Sequence, residues 1–347
     1  MKTIVYRTEY KDTEKLEEAA GVIQKGGIVA FPTETVYGLG ASALNEKACV
    51  KIFEAKGRPQ DNPLIVHVAD FNIAPYVKYI PKKAQILMET FWPGPLTIIM
   101  PKSDLIPDSV TAGLDTVGIR MPDNRIARRL IELSGVPIAA PSANLSGKPS
   151  PTTIEHCIDD LTGKADMIIG GEHCTVGLES TIVEAEDDKV TVLRPGGITV
   201  EMLQEAVGYV EVDRCVKEKL PDNVKPKAPG MKYRHYAPKA PLVIIKGDDM
   251  NVQGYINAMA QKHMSEGHKT GVMCTDETKG CYNACEIISA GSRKEPGKIA
   301  ANLFDCLREF DKMDIDKIYA EGFSEDGIGL AIMNRLKKAA GYNIINV

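Results

Sequence analysis

The chain has 347 residues, 44% of them hydrophobic and 26% charged, with 42 Lys and Arg against 47 Asp and Glu for a net charge of −5. Its length points to two domains, and its composition excludes a disordered chain, a collagen-like fibre and a coiled coil. The acidic balance argues against a strongly basic nucleic-acid binder while leaving room for a local basic surface, and no apolar run reaches the roughly 18 residues that a membrane span needs.

The first 18 residues are charged throughout and hold no apolar signal core, so a cytoplasmic location is expected. Short Ile- and Val-rich runs bounded by Pro or Gly predict strands at 27–31, 64–68, 96–100, 117–121, 137–140, 167–169, 181–184 and 190–193. Between them, helical patterns cover 13–25, 46–55, 82–91, 124–133, 152–161 and 200–207, with Asn45 and Asp123 as N-caps of the second and fourth. Alternation of this kind predicts a sheet covered by helices, some strands being adjacent in sequence and antiparallel.

Residues 213–241 change character, with five prolines, a dense cluster of cations and little apolar periodicity, and read as a linker. Beyond it, strands are expected at 242–246, 270–274, 285–289 and 315–320, and helices at 252–266, 298–310 and 329–340. That order suits a small three-layer, Rossmann-like α/β domain. The division is therefore 1–212, a linker at 213–241, and 242–347. Eight cysteines (49, 157, 174, 215, 274, 281, 285 and 306) show no framework and no Cys-x-x-Cys, and read as reduced, mostly buried thiols.

Three familiar signatures fail. Gly291 to Gly297-Lys298 is one residue too long for a P-loop and has Ile299 where a magnesium-binding Ser or Thr belongs. Gly38-Leu39-Gly40 is separated from the preceding strand by Pro32-Thr33-Glu34-Thr35, whereas a dinucleotide fingerprint follows its strand directly. His156-Cys157 and His173-Cys174 fit no common zinc spacing.

Other residues point to an anionic ligand. Lys56-Gly57-Arg58-Pro59 follows a helix, and a Lys–Arg pair on a rigid turn suits a phosphate clamp, although a solvated turn would read the same way. Residues 141–150 (PSANLSGKPS) place small hydroxyls and amides after a buried strand, as a ligand-binding turn or simply a long polar one. Arg120 and Arg194 each end an apolar run, where a cation needs an anion, either a ligand or an internal ion pair. Residues 229–238 (PGMKYRHYAP) mix cations with two tyrosines, as a closing lid or as inter-domain packing.

Taken in order, the stretches at 31–40, 56–58, 62–64, 140–144 and 194–196 resemble the YrdC-domain family, the L-threonylcarbamoyladenylate synthases, and 229–238 resembles a segment of its long, two-domain members. The resemblance spans essentially the whole chain, and Ala228 stands where that family has Ser. It implies an N-terminal YrdC-like twisted mixed sheet and a nucleotidyltransferase that condenses L-threonine, bicarbonate and ATP to L-threonylcarbamoyl-AMP and pyrophosphate. The product serves threonylcarbamoyl modification of the tRNA adenosine beside the anticodon through a separate transferase complex. By resemblance the catalytic set is Lys56, Arg58, Ser142 and Asn144. ATP would meet Arg58, Asn62, Thr116, Ser142, Ser150, Arg194, His235 and Tyr236. L-threonine would meet Thr35, His67, Arg120, Ala140 and Ser180. Magnesium is expected with ATP, held mainly by phosphate oxygens and water rather than by protein ligands.

Two rival readings remain open on the sequence. One is a non-catalytic module for double-stranded RNA or tRNA; a weak contact of that kind is also compatible with the enzyme. The other is carbamoyl transfer in metal-centre maturation, for which the zinc-finger and acylphosphatase-like regions are missing.

Overall fold

The computed structural model describes residues 2–216, 218, 226–230 and 235–347. The chain divides into two compact units, the first formed by 1–146, 150–175 and 179–233, the second by 147–149, 176–178 and 234–347.

The first unit runs β1 (Ile4–Arg7), α1 (Thr13–Gln24), β2 (Val29–Phe31), β3 (Gly38–Ser42), α2 (Glu46–Lys56), β4 (Ile65–His67), α3 (Lys82–Phe91), β5 (Leu96–Pro101), α4 (Asp108–Thr111) and β6 (Thr116–Arg120). It continues with α5 (Arg125–Ser134), β7 (Ile138–Ala140), α6 (Ile154–Leu161), β8 (Met167–Gly170), β9 (Thr181–Ala185), β10 (Val190–Arg194), α7 (Val200–Val207) and β11 (Glu211–Val212). Among the described residues these strands form one eleven-stranded mixed sheet, in the order β1-β8-β2-β3-β7-β4-β6-β5-β9-β10-β11.

Alternation along the strands gives the sheet two different faces. Val66 is level with Ile119, Ile119 with Ile98, and Ile98 with Val183. These residues join Val192, Leu87 and Met88 of α3 and Leu203 of α7 in one apolar core. The opposite face carries His67 level with Arg120, Ile65 and Ile99 level with Gly118, and Thr97 level with Ile182. At one end of that face α1 and α5 pack on Phe31, Ile138, Ala140 and Met167. Across β4, β6, β5 and β9 the floor is different: Ile65, Ile99 and Ile182 form a small cluster with Leu193 and Ala228.

The second unit runs β12 (Leu242–Lys246), α8 (Asp249–Ser265), β13 (Thr270–Cys274), β14 (Glu286–Ser289), α9 (Pro296–Lys312), β15 (Lys317–Glu321), α10 (Gly329–Ala339) and β16 (Ile344–Asn346). Its strands are all parallel, in the order β14-β13-β15-β12-β16. Val252 and Ile256 of α8 pack with Val243, Ile245 and Val272 on one face. On the other, Phe310 of α9 lies where any side chain at Gly271 would stand. This is the expected three-layer α/β arrangement. No helix among the described residues is long and apolar enough to cross a membrane.

Several expectations need correction. The fourth helix is capped by Asn124, whose side chain accepts a hydrogen bond from the Ala127 amide, and not by Asp123. The capping carboxamide must sit immediately before the first helical residue to reach the amide three positions on. Helix α6 starts at Ile154, after its Thr153 cap, rather than at 152. Strand β1 went unread because it is a largely exposed edge strand, and β3 because its Gly-Leu-Gly sequence lacks β-formers. The stretch expected to be linker is partly structured: 214–216 form a 3-10 turn and 226–230 belong to the first unit, whereas 217, 219–225 and 231–234 lie outside the described residues.

Candidate active site

The site is built on the second face of the large sheet and on the loops at its rim. Helix α2 ends at Lys56 because Gly57 follows in the left-handed conformation, at φ +60°. That turn aims two cations differently. The Lys56 side chain, 3% exposed, donates through Nζ to the carbonyls of Ser142 and Asn144. Arg58 bends back so that Nη2 donates to the carbonyls of Asn62 (3.3 Å) and Pro63 (3.1 Å). Asn62 is buried, with no hydrogen bond to its Oδ1 among the described residues.

The loop after β7 is held by main chain. The Leu39 amide donates to Pro141 (3.0 Å), Ala143 to Tyr37 (2.8 Å) and Tyr37 to Pro151 (2.9 Å). Within it the Ser142 hydroxyl donates to Asn144 Oδ1, and Asn144 Nδ2 donates to the Leu145 carbonyl at 2.8 Å. Ala140 closes β7 in register with Ile65, and Ser150 is buried with its hydroxyl on Glu179. Lys56, Ser142 and Asn144 are thus joined in one set of contacts, and Arg58 with Asn62 in another, the two meeting at the Lys56–Arg58 turn.

A second group lies over β4, β6, β9 and β10. Arg120, at the end of β6, is 3% exposed; Nη1 donates to Thr35 Oγ1 at 2.9 Å, Nε to the Gly94 carbonyl at 3.3 Å, and Nη2 is 2.7 Å from Glu34 Oε1. The Thr35 hydroxyl is also 2.8 Å from that of Thr33. Arg194, at the end of β10, donates through Nε and Nη2 to the carbonyl and hydroxyl of Ser180 (3.0 and 3.1 Å), and through Nη1 to the Pro229 carbonyl at 3.2 Å. The Ser180 hydroxyl is 2.8 Å from that of Thr97. Gly196 permits this approach, since a Cβ there would fall 2.3 Å from the Thr181 amide nitrogen. Of the two alternatives for the strand-end arginines, Arg120 meets an internal carboxylate, whereas Arg194 reaches oxygens of Ser180 and Pro229.

His67 is buried beside Arg120, with Nδ1 3.1 Å from the Ile65 carbonyl. Burial, reinforced by the Arg120 charge, pushes its pKa down to about 3, so the ring is neutral at physiological pH.

On the same sheet face is a small crevice lined by Ile65, Thr97, Ile99, Thr116, Gly118 and Ile182 and bordered by Lys227 and Pro229. Lys227 pairs with Glu184 at 2.8 Å, and Ala228 is fully buried in the small cluster on the sheet. His235 and Tyr236 belong to the second unit, where the Tyr236 ring lies 5.0 Å from that of Phe304. Sequence reasoning did not single out Glu34, Thr97 or Glu179. Glu34 was legible as a lone acid between buried threonines, whereas Thr97 and Glu179 gave no local signal.

Fold and rim define an α/β domain with buried cations at its rim, carried on one chain with a second, parallel-sheet α/β domain. A family model described as telomere recombination matches residues 21–196, and one described as the threonylcarbamoyl-AMP synthase C-terminal domain matches 198–341. The chain is 48% identical to a threonylcarbamoyl-AMP synthase of Pyrococcus abyssi, covering 100% of both chains. It is 50% identical to one of Bacillus subtilis, covering 95% of this chain and 94% of that one. Its structure is similar to that of P. abyssi Sua5 complexed with L-threonine, with a TM-score of 0.91, 47% identity, and coverage of 100% and 99%. A histidine-and-tyrosine-to-alanine variant of the same protein matches with a TM-score of 0.94, 46% identity, and coverage of 99% and 98%. The chain belongs to the threonylcarbamoyl-AMP synthase family, in its two-domain form.

Proposed function

We propose that this chain condenses L-threonine, bicarbonate and ATP to L-threonylcarbamoyl-AMP and pyrophosphate. The observation that carries this reading is the convergence of two arginines, a histidine and small hydroxyls on one sheet face, in a chain that aligns end to end with proteins named for the reaction. The threonine amine attacks the carbon of bicarbonate and water is lost to give a carbamate, and a carbamate oxygen then attacks the α-phosphorus of ATP, expelling pyrophosphate. Such a transfer calls for positioning and charge neutralisation rather than a protein nucleophile.

In this division of labour Lys56 fixes the Ser142–Asn144 turn and, with Arg58, faces the phosphates. Asn62, Thr116, Ser142, Ser150 and Arg194 complete the ATP side. Thr35, His67, Arg120, Ala140 and Ser180 form the threonine side, with Arg120 for the carboxylate and hydroxyls for the substrate hydroxyl. His235 and Tyr236 are assigned to ATP on the family resemblance alone. Magnesium enters with ATP as part of the substrate. The amide and hydroxyl oxygens of Asn144 and Ser142 suit an ion carried mainly by phosphate and water.

A cytoplasmic site of action, transfer of the product to a tRNA-modifying partner, and at most a weak tRNA contact belong to the same reading. The non-catalytic RNA-binding alternative is not favoured, because the relatives matched end to end carry the name of an enzyme. The test is pyrophosphate release with labelled threonine, ATP and bicarbonate, omitting each in turn. Release that persists without threonine or without bicarbonate would refute the assignment.

A further inference from the structure

Glu34 is 7% exposed, and neither carboxylate oxygen has a hydrogen-bond partner among the described residues. It sits in the loop between β2 and β3, where it forms an ion pair with Arg120, 2.7 Å from Oε1 to Nη2. That guanidinium nitrogen also makes no hydrogen bond among the described residues, because the pair is close in distance but poorly directed. Buried charges left this way are costly, and a buried ion pair repays its desolvation only when the remaining lone pairs and protons are satisfied. The flanking hydroxyls are committed elsewhere: Thr35 Oγ1 to Arg120 Nη1 and Thr33, and Thr33 Oγ1 to the Val36 carbonyl at 2.7 Å. The pair is therefore incomplete in a complementary sense. Arg120 Nη2 lacks a well-aimed acceptor, and the Glu34 carboxylate lacks donors among the described residues.

An α-amino acid zwitterion supplies both. We propose that Glu34 is a substrate-contacting, specificity-determining residue: its carboxylate receives the ammonium group of L-threonine while Arg120 receives the carboxylate, the zwitterion completing the internal Glu34–Arg120 pair. This rests on the assignment of Arg120 to the threonine side made above. It gives the site a reason to prefer an amino acid over a hydroxy acid of the same shape, because only the amino acid satisfies both buried charges. With a hydroxy acid, Arg120 would turn to the ligand and leave Glu34 buried without a donor.

The test compares L-threonine with (R)-3-hydroxybutanoate, which keeps the carboxylate and hydroxyl but lacks the amine. Dissociation constants would be measured by calorimetry, or by competition, on the full chain. The wild-type protein is expected to bind L-threonine at least roughly tenfold more tightly than the amine-free acid, since a charge-assisted contact is at stake. Glu34→Gln is expected to weaken L-threonine by roughly tenfold or more and the amine-free acid by less than about twofold. If Glu34 served only to orient Arg120, both ligands would weaken together, and that result overturns the proposal. Equal wild-type affinity for the two ligands overturns it without any variant, which covers the case of a Glu34→Gln protein that does not fold. Arg120→Lys separates the two claims. If it weakens threonine while Glu34→Gln does not, only the role of Glu34 falls. If the wild-type protein binds no threonine, the functional assignment falls with it.

Discussion

Lys56 is buried at the end of α2 and satisfies two main-chain carbonyls of the loop that carries Ser142 and Asn144. Lys56→Ala is therefore expected to do two things at once. It should lower adenylate formation by at least about tenfold, since one charge-assisted phosphate contact is worth more than about 1.4 kcal/mol. It should also lower stability by about 1–3 kcal/mol, because two buried carbonyls lose their donor. Initial rates and denaturant melts measure each part, and an unchanged rate would remove Lys56 from the site. His67 makes a prediction about pH. Its folded pKa is depressed to about 3 by burial, with Arg120 adding to the effect, against an ordinary value of 6.5. Below pH 6.5 the unfolded chain takes up a proton that the native protein refuses, so stability falls as pH drops from 6.5 toward 3. The slope from this group is about 1.4 kcal/mol per pH unit. Denaturant unfolding at about pH 7.5, 6 and 5 should therefore be steeper in pH for wild type than for His67→Asn; parallel curves would show that His67 contributes nothing. Cys49, Cys274 and Cys306, pushed up to about 12 by burial, fit the sequence reading of mostly buried thiols.

At the scale of elements, caps and close approaches position the chemistry. Asn124→Ala is expected to cost about 1 kcal/mol and Asp123→Ala less than about 0.5 kcal/mol, because only Asn124 accepts from a helix amide. Thermal or denaturant unfolding of the two variants decides it, and the reverse order would contradict the cap. Gly196→Ala acts differently. The new methyl would meet main-chain atoms of Glu179, Ser180 and Thr181 rather than a movable side chain. The 179–181 turn must shift, taking Ser180 away from Arg194, and threonine affinity is expected to fall several-fold with a lowered melting temperature. Unaltered threonine affinity in a folded Gly196→Ala protein would argue against Ser180 as part of the pocket. The element pattern was readable because apolar runs and caps are local signals. Strand β3 was not, because its glycines are selected by contact: Gly40 lies against Ile138 and Phe31, with no room for a side chain.

At the scale of the whole molecule, residues 226–230 belong to the first unit. Ala228 is fully buried on the sheet face, and Pro229 accepts from Arg194. A chain ending at residue 212 is expected to melt below one ending at 230, by an amount equivalent to about 1–3 kcal/mol, since Arg194 loses a buried acceptor and the Ile65–Ile99–Ile182 cluster its cover. Identical melting would mean that 226–230 adds nothing. The shorter chain is also expected to turn over poorly. Full activity in it would remove His235 and Tyr236 from the ATP site.

Sequence alone determined the two α/β domains, most strands and helices though not β1, β3, β11, β16 or α4, and the ordered motifs that identify the family, because periodicity, caps and turn residues act over a few positions. It also marked Lys56, Arg58, Ser142 and Asn144 as a polar group on turns. Tertiary structure alone decided which charges face one another. Arg120 and Glu34 are far apart in the chain and meet because β6 ends level with β4, over the face that the β2–β3 loop reaches. Register turns a list of residues into two faces, one apolar and closed, the other floored by Gly118 and Thr97 and rimmed with buried charge. No single segment encodes that division, since it is a relation between strands.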